Sequence, residues 1–238
     1  HVPDEIKRRV VSAADGFDIS LVEIGGTIGD YENIPFLFAM KILERELGRE
    51  NVAYVLVTYL PPPSHIGEPK TKPTQQAIKT LSEAGIFPDF ILCRGKDALD
   101  DVRKKKIEIF ANINSDCVIS APDVASVYSI PLNFENEKLG EKIMKRLSLE
   151  PKKTPEWQTW NQLLHNIENP KEKIKIAIIG KYVDTGNYCL QDSYISIGES
   201  IKHAAAHSAA GIEITWIDSK KYETGEENIT NLHEFDGI

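Results

Sequence analysis

Cysteine is scarce: three residues, Cys93, Cys117 and Cys189, in a chain of 238. They are far apart, odd in number and never in a Cys-x-x-Cys pair. A disulfide framework is therefore excluded, and free thiols of a reducing compartment are expected. Long apolar runs are missing as well. Nothing approaches the ~18 consecutive apolar residues of a membrane span, and the opening HVPDEIKRRV carries no apolar core of a signal peptide. Positive charge is in deficit, with a formal net charge of −8. That balance argues against broad binding to nucleic acid or anionic membrane, which calls for a basic surface. A few local lysines can still hold an anionic small molecule. Internal repeats and low-complexity tracts are absent too. These absences leave a soluble cytoplasmic protein, with neither membrane nor nucleic acid among its partners, as the expectation.

What the chain does have is alternation. Ile6, Val10, Val11 and Ala14 recur at helical spacing, and Ile19–Ile24 is a short apolar run that leads into Gly25-Gly26 as a strand would. Pro35–Leu47 reads as a helix with Phe36, Leu37, Met40 and Leu43 on one face. Val52–Leu60 is β-prone, Pro73–Ala84 is helical and stops at Gly85, Phe90–Cys93 is a strand, and Asp101–Ala111 is a helix. Cys117–Ser120 is a strand and Leu139–Leu147 a further helix. Short apolar strands between amphipathic helices predict an α/β fold, a parallel sheet covered on both faces, with ligands at the carboxyl ends of its strands. Composition breaks at Ser148–Lys173, an ordered connector in which Trp157 and Trp160 call for a surface to pack on. A fresh α/β unit follows: strand Ile174–Ile179, helix Asp192–His207, strand Ile212–Ile217.

Four segments carry candidate chemistry. The first runs from Glu23 through Gly25, Gly26 and Gly29 to Asp30, Tyr31 and Glu32. Glycines admit close approach or positive φ, and a carboxylate at a strand end suits Mg²⁺ shared with nucleotide phosphates. Asp30 and Glu32 can accept hydrogen bonds from ribose or a base amine; the plain alternative is a tight turn with solvated acids. This is neither a dinucleotide fingerprint nor a P-loop. The second is Lys70-Thr71-Lys72-Pro73-Thr74-Gln75, after a proline-rich stretch containing His65. Pro73 suits the first helical position with Thr71 or Lys72 at the cap, so lysines and free amide groups meet at a helix start, a plausible triphosphate site. Its alternative is a basic solvated loop. The third is Arg103-Lys104-Lys105-Lys106 inside a helix, a solvated face from which one side chain could reach a phosphate. The fourth, Ser120 to Val124, follows a strand and offers little beyond backbone contacts to a flat base.

Together, in this order, VEIGGTIGD, GEPKTKPTQ, Leu92-Cys93-Arg94, Pro122-Asp123-Val124 and Ile178-Ile179-Gly180-Lys181-Tyr182 resemble the CTP synthase family along essentially the whole chain. The resemblance implies a P-loop-like amidoligase domain over residues 1–149, lacking its N-terminal part, then a linker at 150–172. It implies that residues 173–238 open a class I glutamine amidotransferase domain. It implies ATP-dependent amination of UTP to CTP with ammonia from glutamine, and a homotetramer whose nucleotide sites span subunits. Glu23 matches a Mg²⁺-binding glutamate. Asp30, Tyr31 and Glu32 match a stretch that contacts the CTP pyrimidine and ribose. Lys70, Thr71, Lys72, Pro73, Thr74 and Gln75, with Lys106, match residues that bind UTP and CTP. Pro122, Asp123 and Val124 match a segment that lines the family's ATP adenine site, and Arg94 matches a position close by.

The same resemblance locates what should lie elsewhere. The family's Gly-Lys phosphate loop and second Mg²⁺ carboxylate would precede His1. The glutaminase Cys nucleophile, its His and Glu partners and the oxyanion strand would follow Ile238. Cys189 falls after the first strand of the second unit, not on a nucleophile elbow. An internal piece of a longer protein, inactive alone, is the expectation; its lack of an initiator Met and its end at Phe235–Ile238, which reads as the start of a buried strand, agree. The alternative is a truncated, non-catalytic paralogue that binds pyrimidine nucleotides or joins a CTP synthase oligomer. A relative of dethiobiotin synthetase is disfavoured by KTKPTQ and by the second unit.

Overall fold

The computed structural model describes residues 1–62, 69–181, 183–185, 188–189 and 194–238, so His65 and Tyr182 lie outside the described residues. Two compact units result, His1–Lys152 and Lys153–Ile238. The first runs α1 (Val2–Ala14), α2 (Ile34–Leu47), β1 (Val55–Tyr59), α3 (Lys72–Glu83), β2 (Phe90–Gly95), α4 (Asp101–Ala111), β3 (Val118–Pro122), α5 (Ile130–Asn136) and α6 (Leu139–Arg146). Its three strands form one parallel sheet in the order β1-β2-β3. Each parallel connection carries a helix, as parallel pairing demands.

Strand periodicity decides which side chains meet which layer. Leu56, Ile91, Cys93 and Val118 point to the layer that holds Ile78 and Leu81 of α3 and Ile107 of α4. Phe90, Leu92 and Ile119 point to the opposite layer, where Leu139, Phe134 and Ile143 of α5 and α6 pack. Full burial of each such side chain stabilises the fold by about 1.5–3 kcal/mol. Helix α3 buries Thr74, Ile78 and Leu81, spaced one turn apart. It ends as the sequence predicts. Gly85 adopts φ +74°, its N–H donates to the Ser82 carbonyl at 2.9 Å, and the Ile86 N–H donates to Leu81 at 3.2 Å. That paired closure satisfies two terminal carbonyls and brings buried Ile86 onto Leu81.

Three expectations are corrected. Ile19–Ile24 forms no strand; it is extended coil, with Leu21 94% exposed. No described strand runs beside it, so its backbone groups have water rather than a ladder for partners. The sheet is not covered on both faces throughout: Val55, Val57 and Tyr59 are exposed. They share a face with Phe90 and Leu92 across the β1–β2 register, but α5 and α6 reach only the β2 and β3 side of it. In α2 the buried residues are Ala39 and Leu43, while Phe36 is exposed.

The second unit runs α7 (Gln158–Glu168), β4 (Glu172–Gly180), β5 (Asp184–Thr185), β6 (Tyr188–Cys189), α8 (Ile195–His207), β7 (Ala210–Asp218) and α9 (Lys220–Glu223). The segment read as a connector thus carries a helix, α7, which buries Leu164 and whose Asn166 Nδ2 donates to the Ala206 carbonyl of α8 at 2.9 Å. β4 and β7 pair in parallel over their whole length. Gly237 makes a parallel bridge to Ile176 on the other edge of β4, in the segment expected to open a strand. Cys189 lies in β6, which pairs antiparallel with β5, rather than in a plain loop. Residues 192–193 of the predicted helix lie outside the described residues, and the helix is described from Ile195. Among the described residues no helix is long and apolar enough to cross a membrane.

Candidate functional site

The carboxyl edge of the three-stranded sheet collects most of the candidate residues. Lys72 is the first residue of α3, Pro73 the second, and Thr71 stands at the cap without bonding the helix amides through its side chain. Because Pro73 has no N–H, the backbone donors of this first turn come from Lys72 and Thr74. Two contacts fix the turn in place. The fully buried Thr74 hydroxyl meets the Thr58 hydroxyl of β1 at 3.1 Å, and the Lys70 N–H donates to the Pro61 carbonyl at 3.1 Å. Gln75 Nε2 approaches the Thr71 hydroxyl at 3.5 Å. Lys72 is exposed at this edge.

Beside it, the loops after β2 and β3 are stitched together. The Asp123 N–H donates to the Gly95 carbonyl at 2.8 Å. Arg94 Nη2 lies 3.7 Å from Asp123 Oδ1. Ser120 Oγ accepts from the Leu99 N–H at 2.9 Å, tying the end of β3 to the loop before α4. Arg94, Pro122, Asp123 and Val124 are therefore brought to one end of the sheet, next to Lys70–Gln75.

Helix α4 sorts the basic run. Asp100 caps it, accepting the Arg103 N–H at 2.8 Å, and that amide, ahead of the Arg103 side chain, holds the Asp100 carboxyl below its usual range. The Arg103 guanidinium pairs with Asp100 and donates through Nε to the Pro69 carbonyl at 3.1 Å. Lys104 Nζ sits 3.8 Å from Glu137, and Lys105 Nζ 2.7 Å from Glu108. Lys106 is exposed. It lies three residues beyond Arg103, hence on the adjoining surface of the helix.

Glu23, Asp30, Tyr31 and Glu32 belong to a separate loop. Its turn is built from within: Asp30 Oδ2 accepts the Thr27 N–H at 2.8 Å and Asn33 Nδ2 donates to the Gly25 carbonyl at 2.7 Å. Gly26 is required here, since it sits at φ +79° and a Cβ would lie 3.0 Å from both Asp30 Oδ2 and Asn33 Nδ2. Asp30 thus spends one oxygen on its own turn, while Glu23, Tyr31 and Glu32 are exposed. Ile28 packs on the core. Among the described residues no group of three or more His, Cys, Asp or Glu could hold a metal by itself. Burial pushes the Cys93 thiol up to about 12 and raises that of Cys117, which disfavours the reactive thiolate at both.

Sequence reading missed two residues that shape this site, Thr58 and Asp100, and the contact between Arg103 and Pro69. Thr58 and the Arg103–Pro69 contact join positions far apart in sequence, and no local pattern announces them. Asp100 had a signal, an aspartate directly before a predicted helix.

The fold and the site define a parallel α/β protein with a cationic cluster at the strand ends. A family model described as CTP synthase N-terminus matches residues 1–149. The CTP synthase of Pyrococcus furiosus is 43% identical over 238 residues, covering 100% of this chain and 43% of that protein. That of Methanopyrus kandleri is 44% identical over 241 residues, covering 100% and 44%. That of Prochlorococcus marinus is 39% identical over 240 residues, covering 100% and 44%. The chain therefore belongs to the CTP synthase family, and it spans less than half the length of these relatives.

Proposed function

We propose that the chain supplies the UTP-binding part of a CTP synthase, a ligase that aminates UTP to CTP with ATP and glutamine-derived ammonia in pyrimidine nucleotide biosynthesis. The observation that carries this reading is the cationic cluster at the carboxyl edge of the sheet, in a chain of this family. Lys70, Lys72 and Lys106, with the amide groups at the start of α3, hold the triphosphate. Thr71, Pro73, Thr74 and Gln75 shape that turn. Asp30, Tyr31 and Glu32 contact the pyrimidine and ribose of CTP. Arg94, Pro122, Asp123 and Val124 border the ATP adenine.

Glu23 serves as a donor to Mg²⁺. Its exposed single carboxylate fits an ion that keeps water and shares phosphate oxygens, whereas an all-protein cage would need more donors than the described residues offer. Bound Mg²⁺ would neutralise phosphate charge. The lysines do the same by position, which is most of what phosphoryl transfer asks of a protein.

In this reading residues 1–149 are amidoligase, 150–172 the connector and 173–238 part of a glutamine amidotransferase domain, within a cytoplasmic homotetramer. Similarity that extends over the whole chain favours this over a non-catalytic paralogue. Calorimetric titration of UTP with Mg²⁺ into the chain tests it. Saturable binding of UTP, with uridine much weaker, is expected; no UTP binding overturns the reading.

A further inference from the structure

Among the four basic residues of α4, Arg103 is the one seen to contact the segment that leads into α3. Its Nε donates to the Pro69 carbonyl at 3.1 Å, directly before Lys70. Its Nη1 pairs with Asp100 Oδ2, while Asp100 Oδ1 caps the same helix through the Arg103 N–H at 2.8 Å. The side chain is only 16% exposed, so it is held against protein rather than solvated. Lys106 lies one turn further along the adjoining helix surface. One guanidinium therefore joins the segment that carries Lys70 and Lys72 to the helix that carries Lys106.

We propose that Arg103 is a positioning residue of the UTP site: held by Asp100, it ties Pro69, directly before Lys70, to α4 and so fixes Lys70 and Lys72 relative to Lys106. This rests on the reading that those lysines bind UTP. The chemistry favours arginine specifically. A planar guanidinium presents several donors in a rigid fork and can serve a carbonyl and a carboxylate together, whereas a lysine ammonium is a point charge on a flexible stem. Cations fixed before the ligand arrives lose less freedom on binding it.

Two variants separate positioning from plain charge. Arg103→Lys keeps the positive charge but not the fork. Asp100→Asn keeps a helix cap and loses the ion pair. It also removes a negative charge near the site, which by Coulomb's law alone should tighten binding of a polyanion. UTP with Mg²⁺ is titrated into wild type and both variants, with a urea transition measured for each. Both variants are expected to bind UTP about 10-fold more weakly, equivalent to about 1.4 kcal/mol, at unchanged urea midpoint. Unchanged or tighter binding by Asp100→Asn, or full affinity in Arg103→Lys, overturns the positioning role while leaving UTP binding intact. Weaker binding that merely follows a lowered urea midpoint also overturns it, since the residue would then be only structural. Absence of UTP binding in wild type would instead remove the functional reading itself.

Discussion

Replacing Asp89 should destabilise the first unit substantially while sparing nucleotide binding. This carboxylate lies at the amino edge of the sheet, opposite the candidate site. Oδ2 accepts the Tyr54 N–H at 2.7 Å. Oδ1 accepts Arg49 Nη2 at 2.8 Å and Arg146 Nε at 2.6 Å, so the turn before β1, the start of β2 and the end of α6 meet on one group. Asp89 is 10% exposed and Arg49 40% exposed. The Arg49 pair is well solvated, and such pairs contribute at most about 1 kcal/mol. The better buried Arg146 contact is worth about 1.5–3 kcal/mol, and an orphaned Tyr54 N–H costs about 1–3 kcal/mol. These terms overlap, and Asp89→Ala should cost about 3–5 kcal/mol, the range found when one partner of a buried pair is removed. Asp89→Asn, nearly isosteric, should cost almost as much, because its amide would set a donor against the Tyr54 N–H or an arginine. Urea unfolding should show a lowered midpoint at unchanged slope. At temperatures where the variant is folded, its UTP affinity should match wild type. A loss under about 1 kcal/mol, well below the charged-contact range, would refute the reasoning.

Gly85→Ala should destabilise by about 1–2 kcal/mol through the left-handed backbone alone. The added methyl would meet nothing closer than Lys41 Cε at 3.6 Å, so no clash contributes; urea unfolding checks it. Cys93, with its thiol pushed up to about 12 by burial, should resist iodoacetamide at pH 8 in the folded chain and react once urea unfolds it. Mass-spectrometric mapping reads this directly, and ready labelling of native Cys93 would contradict its burial.

Much of the first unit could be read from local pattern, and the reasons are physical. Helix α3 has Pro73 near its start, apolar residues at one-turn spacing and Gly85 at its end, so local chemistry alone bounds it. β2 is a run buried on both faces and reads as a central strand. The failures are those of long-range context. Ile19–Ile24 has a strand's composition, yet a strand exists only beside another. Val52–Leu60 gave no sign that alternate residues of β1 would be left uncovered, because that depends on how far α5 and α6 extend. At the site, the residue types of Lys70–Gln75 were legible. Local pattern could not divide the basic run, since four consecutive residues on a helix point all round it; the family resemblance singled out Lys106. In the structure, the partners of Arg103, Lys104 and Lys105 set them apart from Lys106 as well.

That division gives the most direct test of the central claim, that the carboxyl-edge cluster binds UTP. UTP with Mg²⁺ is titrated into wild type, Lys106→Ala and Lys105→Ala, exposed neighbours on α4 with identical charge change. Loss of one charge-assisted phosphate contact, about 1.5–3 kcal/mol, predicts that Lys106→Ala weakens UTP binding by about 10-fold or more. Lys105→Ala should leave it unchanged. Equal effects of the two would reduce the cluster to a diffuse positive field, and no effect of Lys106→Ala would contradict the account.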